Sequence, residues 1–349
     1  MKSLDYNIIK PNTSGREALI QLDRAKVGTK ALFIVNEDEH LLGTLTDGDI
    51  RRGLIAGQDI DASVENFMNR NFRFLYESQL ALSDLNALRE IKIVLVPVLN
   101  QNKKLIRILD LSDRKAILPV DAIIMAGGRG ERLKPLTDTV PKPLLKVGNK
   151  PIIEYNIDRL IYFGIDNITI SIKYLGEQLI SAFGNGRAKG IKIDYVTEDQ
   201  PLGTIGAVSL VEDFKNDHVM IMNSDLLTNI DFEDFFQTYL EQNADLAIAT
   251  VPYKVDIPYA VLEVENTRIR DFKEKPSYTY YSNAGIYLLK KEFLQFIPKG
   301  LFYNATDLME LLLKNNHNVI SYPILGYWLD IGKHEDFLKA QADIKHIQF

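Results

Sequence analysis

Residues 126–144 read Ala-Gly-Gly-Arg-Gly-Glu-Arg-Leu-Lys-Pro-Leu-Thr-Asp-Thr-Val-Pro-Lys-Pro-Leu, a glycine-rich turn followed at fixed distances by Arg132 and Lys142. Such a segment is suited to cradle a nucleoside triphosphate. Beyond Ala126, the missing Cβ atoms of Gly127, Gly128 and Gly130 let the chain bend through positive φ, so that successive amide N–H groups reach an anion. Arg129, Arg132, Lys134 and Lys142 add full positive charge, and the prolines flanking Lys142 keep its backbone extended. A tight turn alone requires none of these cations. A P-loop is excluded, because Gly332-Lys333 is followed by His334 and Gly130 by Glu131. A dinucleotide fingerprint is excluded too, because Leu133 occupies the place of its third glycine.

Two carboxylates could serve the same ligand. Asp225 follows the apolar run Val219-Met220-Ile221-Met222 by an Asn-Ser step, and Asp330 ends the extended stretch Trp328-Leu329-Asp330. Each lies at the carboxyl end of an expected strand. Together they offer the hard oxygen ligands that Mg²⁺ takes beside phosphates and water, although Asp225 could instead cap the turn after it.

The elements that position these groups are legible as alternation. Asp121–Ala126 reads as a buried strand delivering the loop to a sheet edge. Asn167–Ile172 then Leu175–Phe183, Ile191–Val196, Val219–Met222 then Phe232–Gln242, and Leu246–Val251 alternate strand and helix. The pattern specifies an α/β, Rossmann-like, mostly parallel sheet with ligands beyond the strands' carboxyl ends. Ile117-Leu118-Pro119 marks a boundary, giving domains at 1–118 and 119–349.

The loop motif resembles the signature of the sugar-nucleotide pyrophosphorylases, Gly-Gly-x-Gly-Thr-Arg-Leu-x-Pro-Leu-Thr followed by Pro-Lys-Pro. Here Glu131 stands where a small hydroxyl residue is usual. The resemblance runs from about residue 121 to the end of the chain. It implies Mg²⁺-dependent transfer of a nucleoside monophosphate to a sugar 1-phosphate, with Arg132, Lys142 and Asp225 catalytic and Asp225 and Asp330 on the metal. Residues 198–207, Glu-Asp-Gln-Pro-Leu-Gly-Thr-Ile-Gly-Ala, resemble the family's base-reading and sugar-contacting loop, implying roles for Glu198, Gly203, Thr204 and Gly206. Gly203 and Gly206 would let the backbone approach a flat ring, and a helix starting near Thr204 would aim its dipole at the ligand. Glu274-Lys275-Pro276 and Asn283-Ala284-Gly285 resemble the sugar 1-phosphate site, implying Glu274, Lys275, Asn283 and Gly285. Lys333-His334 replaces the usual Thr-Pro after the Asp330 motif. The Pro-Leu-Gly-Thr-x-Gly-Ala form is more similar to guanylyltransferases of the mannose 1-phosphate type. That form favours GTP. Family members with an N-terminal CBS pair, a feature residues 1–118 resemble, include enzymes that make GDP-glucosamine, so glucosamine 1-phosphate and then mannose 1-phosphate are favoured, while UTP, dTTP and CTP stay open.

Residues 1–118 repeat. A shift of 64 positions places Ser14 on Ser78, Asn36 on Asn100, Leu41 on Leu105, Leu42 on Ile106, Leu45 on Leu109 and Asp49 on Asp113. A helix opens at Ser14 with Glu17 completing a capping box, and strands follow at Ala31–Val35 and, in the second copy, Ile93–Val98. This smaller α+β half resembles a tandem pair of CBS domains, strongest at residues 43–51, Gly-Thr-Leu-Thr-Asp-Gly-Asp-Ile-Arg. The resemblance implies that Thr46 and Asp49 bind the ribose of an adenosine nucleotide. Asp49 could also cap a helix beginning at Ile50. The second copy has Arg107 for the glycine and Asp110 for the threonine. Pairing with a second chain into a homo-oligomer is expected.

With 349 residues, 46% of them hydrophobic, the chain can form two cores. A net charge of −6 argues against nucleic acid as a partner. No apolar segment follows Met1-Lys2 and none is long enough to cross a bilayer, so a cytoplasmic protein without membrane insertion is expected. The absence of cysteine excludes thiol chemistry and disulfides. The chain ends soon after a helix expected at Glu335–Ile344 without a hexapeptide-repeat tail, so a bifunctional acetyltransferase is not expected. The competing reading is a non-catalytic adenosine-nucleotide sensor on a degenerate transferase scaffold. It is disfavoured because the charged positions that catalysis needs are present.

Overall fold

The computed structural model describes residues 7–24, 31–77, 88, 93–111 and 114–347. Cα packing divides the chain into two compact units. One comprises the residues up to Leu118 with Ile161–Gly164 and Gly186–Ile191, and the other comprises the remainder from Pro119.

The first unit holds two three-stranded sheets. Strands β1 (Ile8–Ile9), β2 (Ala31–Val35) and β3 (Leu41–Thr46) form one, and β4 (Leu75–Tyr76), β5 (Leu95–Leu99) and β6 (Leu105–Asp110) form the other. In each sheet the first pair is parallel and the second antiparallel, with a bulge at Ile34/Val35 and at Val98/Leu99. The turns cross reciprocally: Leu41 N–H donates to Lys103 O, Leu105 N–H donates to Glu39 O, and Glu39 and Lys103 both adopt positive φ, at 66° and 60°. These equivalences, each 64 residues apart, are what a pseudo-two-fold axis between duplicated units produces. Phe33, Val35 and Leu41 pack there against Leu99 and Ile108. Ser78 and Asp113 of the repeat lie outside the described residues, and the second strand runs Leu95–Leu99 rather than Ile93–Val98.

Helix Gly15–Arg24 opens on the expected box, with Ser14 N–H donating to Glu17 at 3.0 Å and Glu17 N–H donating to Ser14 Oγ at 3.2 Å. The second helix corrects the sequence reading. It begins at Asp47, not Ile50, because Thr46 is the N-cap and Asp49 is the third helical residue, closing a capping box back onto Thr46. A Thr-x-x-Asp spacing supports either start, and the box that satisfies two end N–H groups wins.

In the second unit, β7 (Val120–Met125) emerges almost entirely buried. It is followed by the short pair β8 (Lys146–Val147) and β9 (Lys150–Pro151), helix Ile152–Tyr162, β10 (Asn167–Ile172), helix Gly176–Phe183 and β11 (Lys192–Thr197). Then come β12 (His218–Asn223), β13 (Leu226–Thr228), helix Phe232–Glu241 and β14 (Leu246–Asp256). A hairpin of β15 (Val261–Glu265) and β16 (Arg268–Lys273) leads into β17 (Ser277–Lys290). Helix Ala305–Lys314, β18 (Val319–Pro323), β19 (Trp328–Asp330) and helix His334–Asp343 close the described chain. The seven-stranded sheet runs β11-β10-β7-β12-β17-β14-β18. It is parallel except where β17 pairs antiparallel with β12 and β14. Ile123, Val219, Ile221, Leu246 and Leu289 pack on one face against Leu308 and Leu312 of the Ala305–Lys314 helix. Among the described residues no helix is long and apolar enough to cross a membrane.

Candidate functional site

The glycine loop leaves the carboxyl end of β7, as β-strand burial requires for a ligand-facing turn. Ala126 N–H is tied to Ser171 O at 3.0 Å, and Gly130 adopts the left-handed φ of 63° that reverses the chain. Thr137 Oγ and Leu133 N–H both donate to Gly130 O at 2.9 Å. Leu133 itself is fully buried among Val147, Ile152, Leu227 and Ile331, so it anchors the loop in the core. A Cβ at Gly128 would meet nothing within 4 Å, which leaves that face of the loop open.

The two carboxylates come together through a small two-stranded sheet. β13 and β19 pair antiparallel with Leu226 opposite Asp330, and Ile331 N–H donates to Asp225 O at 3.1 Å. Ser224 N–H bonds Met125 O at 3.2 Å, fixing Asp225 beside the start of the loop. Lys142 Nζ donates to Asp225 Oδ2, and the Arg132 guanidinium lies against Gly332. Arg132, Lys142, Asp225 and Asp330 therefore form one group.

Its electrostatics are unbalanced. Asp225 Oδ1 and Asp330 Oδ1 are buried without a hydrogen-bond partner. Burial first, and then the Asp225 charge, push the Asp330 carboxyl up to about 6, with Lys142 and Arg132 opposing. Two adjacent orphaned carboxylate oxygens are costly unless a cation reaches them. Among the described residues no cluster of three or more His, Cys, Asp or Glu could hold a metal. Two carboxylates nevertheless suit Mg²⁺, which keeps several waters and takes its other ligands from substrate phosphates.

The 198–206 segment is braced by residues 300–305. Glu198 is buried, accepts from Leu202 N–H at 3.2 Å and from Ser171 Oγ, and fills the space beneath Gly127. Thr204 N–H donates to Asn304 Oδ1 at 3.2 Å, and Ala305 N–H donates to Thr204 Oγ at 2.8 Å. The helix expected near Thr204 is replaced by a five-residue 3₁₀ turn, Gly206–Leu210, so the hydroxyl braces the Ala305–Lys314 helix and no long dipole points at the site. A Cβ on Gly203 or on Gly206 would come within 2.6 Å of Tyr303 O or Leu301 O. Those glycines are thus required by the protein's own backbone at residues 301–303, whatever else the loop meets.

Asn283-Ala284-Gly285 forms a bulge in β17. Ile248 faces Tyr287 and Thr250 faces Asn283, so three residues, 284–286, stand opposite one. Asn283 Oδ1 accepts from Gly285 N–H at 2.9 Å, Gly285 has φ of 73°, and Trp328 Nε1–H donates to Ala284 O at 3.0 Å. The last bond ties this motif to the strand of Asp330. Glu274 and Lys275 sit exposed in the bend before β17, about 20 Å of extended strand from Asn283. Sequence reasoning missed Trp328, Asn304 and Leu133 as supports of the site. The single tryptophan and the apolar residue at the forbidden glycine position were the available signals.

In the first unit, Thr46 N–H and Oγ donate to Asp49 Oδ2 at 2.8 and 2.6 Å, and Arg52 holds Oδ1 at 2.5 Å.

A buried parallel sheet, a glycine loop at a strand end and a cation-flanked carboxylate pair define a protein that handles nucleotide phosphates. The match to known sequences is specific: residues 121–347 fit the nucleotidyl transferase family, and the chain belongs to it. Residues 2–56 match the CBS domain. The chain is 32% identical over 233 residues to a mannose-1-phosphate guanylyltransferase of Mycobacterium tuberculosis, covering 64% of each protein. It is 33% identical over 232 residues to the D-glycero-alpha-D-manno-heptose 1-phosphate guanylyltransferase of Aneurinibacillus thermoaerophilus, covering 65% of this chain and 99% of that one. A Synechocystis UTP–glucose-1-phosphate uridylyltransferase is 29% identical over 252 residues, 65% of each. Among solved structures, a Bacillus anthracis protein assigned as a glucose-1-phosphate thymidylyltransferase superposes with a TM-score of 0.54 at 28% identity, over 66% of this chain and 97% of that one.

Proposed function

We propose that the protein transfers a nucleoside monophosphate from GTP to a hexose or hexosamine 1-phosphate, releasing pyrophosphate. The observation that carries this reading is the pair of orphaned oxygens on Asp225 and Asp330, set beside Lys142 and Arg132 where the glycine loop begins. A phosphate oxygen of the sugar 1-phosphate attacks the α-phosphorus. The bond to the bridging oxygen breaks, and pyrophosphate leaves with the electron pair. No general base is needed, because the second pKa of a phosphate monoester is near 6. The protein's task is to hold two anions in line and to neutralise them. The loop amides and Arg132 take the triphosphate and Lys142 the transferred group, and Lys275 would take the sugar phosphate once the bend before β17 folds over residues 283–285. Asp225 and Asp330 would hold Mg²⁺, which would supply further charge neutralisation of the phosphates. The residues 198–206 and 283–285 would read the base and the sugar.

GTP is supported by the two guanylyltransferases among the relatives, whose names also favour mannose or heptose 1-phosphate alongside the glucosamine 1-phosphate suggested by the sequence. The uridylyltransferase makes UTP the competitor. We extend the proposal to adenosine-nucleotide binding at Thr46 and Asp49 and to a homo-oligomer joined through the first unit. Pyrophosphate release with magnesium, four triphosphates and a panel of sugar 1-phosphates tests the activity. Asp225→Asn is expected to lower kcat on the order of 10²- to 10³-fold with the fold retained. A kcat within a few-fold of the parent refutes the assignment.

A further inference from the structure

The glycine loop carries its own anion. Glu131 opens the 3₁₀ turn Glu131–Leu133 directly after left-handed Gly130, at the place where the resembling family has a small hydroxyl. Its Oε2 lies 2.7 Å from Lys134 Nζ and its Oε1 3.7 Å from Arg129 Nη1. Both cations belong to the loop that the functional reading assigns to the phosphate tail. Arg129 is stacked 5.1 Å over the Tyr174 ring, and the Tyr174 hydroxyl donates to Thr137 O and Asp138 O, so the guanidinium rests on a fixed shelf. The Lys134 carbonyl is bonded to His334 Nε2 at 2.8 Å, so the lysine's backbone is fixed as well. Glu131 therefore bridges two of the loop's four cations, on the same short turn that presents Arg132. All three side chains are about half exposed or more, so the bridge can open when a stronger anion arrives.

We propose that Glu131 is an affinity-setting residue that competes with the polyphosphate tail for Arg129 and Lys134. The inference rests on the nucleotidyl-transfer reading of the same loop. A triphosphate, or the pyrophosphate product, gains the two cations only after displacing the carboxylate, and it meets that carboxylate's charge afterwards. The residue weakens ground-state binding of both and speeds pyrophosphate departure. It leaves Arg132 and Lys142, which face the carboxylate pair, in place.

The test is calorimetric titration of the full chain with inorganic pyrophosphate, with and without magnesium, for the parent, Glu131→Gln and Glu131→Thr. Steady-state KM for the triphosphate is measured beside it. Removing one negative charge within several ångströms of a polyanion is worth about three- to tenfold in affinity at low salt. Both variants should bind pyrophosphate that much tighter and show a KM lowered by a similar factor. The difference should shrink as ionic strength rises past about 0.1 M, where the Debye length is about 10 Å. Glu310→Gln, which removes an exposed carboxylate paired with Lys314 outside the loop, controls for net charge. Equal or weaker binding by the Glu131 variants, or the same gain from Glu310→Gln, overturns the inference. Failure of the parent to bind either pyrophosphate or triphosphate refutes the functional reading instead.

Discussion

Asp330→Asn should make the protein more stable and inactive. The Asp330 carboxyl is pushed from 3.8 up to about 6, chiefly by burial and then by Asp225. At ~1.4 kcal/mol per pH unit, that gap corresponds to a cost of up to about 3 kcal/mol whenever the group is ionised in the native state. The direction follows from proton affinity. The native carboxyl holds its proton more tightly than the unfolded one, so stability falls as pH rises from about 4 to about 6 and the whole deficit persists above that. Asparagine carries no charge and removes it. At pH 7.5 the variant should exceed the parent by up to about 3 kcal/mol in urea denaturation, and at pH 4 the two should coincide. Trp328, the single tryptophan, lies two residues away and reports the transition by fluorescence. Magnesium should stabilise the parent and not the variant, because the second carboxylate ligand is gone. A variant no more stable than the parent at pH 7.5, or one with the same gain at both pH values, refutes the picture of a strained carboxylate pair awaiting a cation.

Gly203→Ala introduces a Cβ 2.6 Å from Tyr303 O at a φ of 79°. The expected loss is about 1–3 kcal/mol of stability, or ~2–4 °C in Tm per kcal/mol, and an unchanged melting curve contradicts the brace. Asp49→Ala removes both the capping box and the carboxylate shared by Thr46 and Arg52. Calorimetric heats with AMP or ATP should vanish in this variant, and their persistence excludes that site as the nucleotide's.

The central strands were legible because burial on both faces writes them as continuous apolar runs, as in Asn167–Ile172, where the expected and observed bounds agree. The glycine loop and both aspartates were legible because their chemistry depends on residue type and spacing. The partnership of Asp225 and Asp330 was legible from their common place at strand ends and from the resemblance, but the means was not, since pairing β13 with β19 spans about a hundred residues and no local pattern encodes that register. Thr204 misled for a related reason. Its side chain satisfies a helix end, but the end belongs to Ala305, far along the chain. The bulge at Asn283–Gly285 left one mark, a glycine inside a strand, and which neighbour fills the space beside it is a tertiary fact.

The bond from the Trp328 indole to Ala284 carbonyl has a practical corollary. On the proposed sugar-reading role of residues 283–285, resizing that bulge for a bulkier or smaller hexose would drag on the strand that ends in Asp330, so selectivity and turnover would change together. The exposed bend at Glu274 and Lys275 lies outside that tether, so on the proposed reading a change there would reach the sugar without disturbing the carboxylate pair.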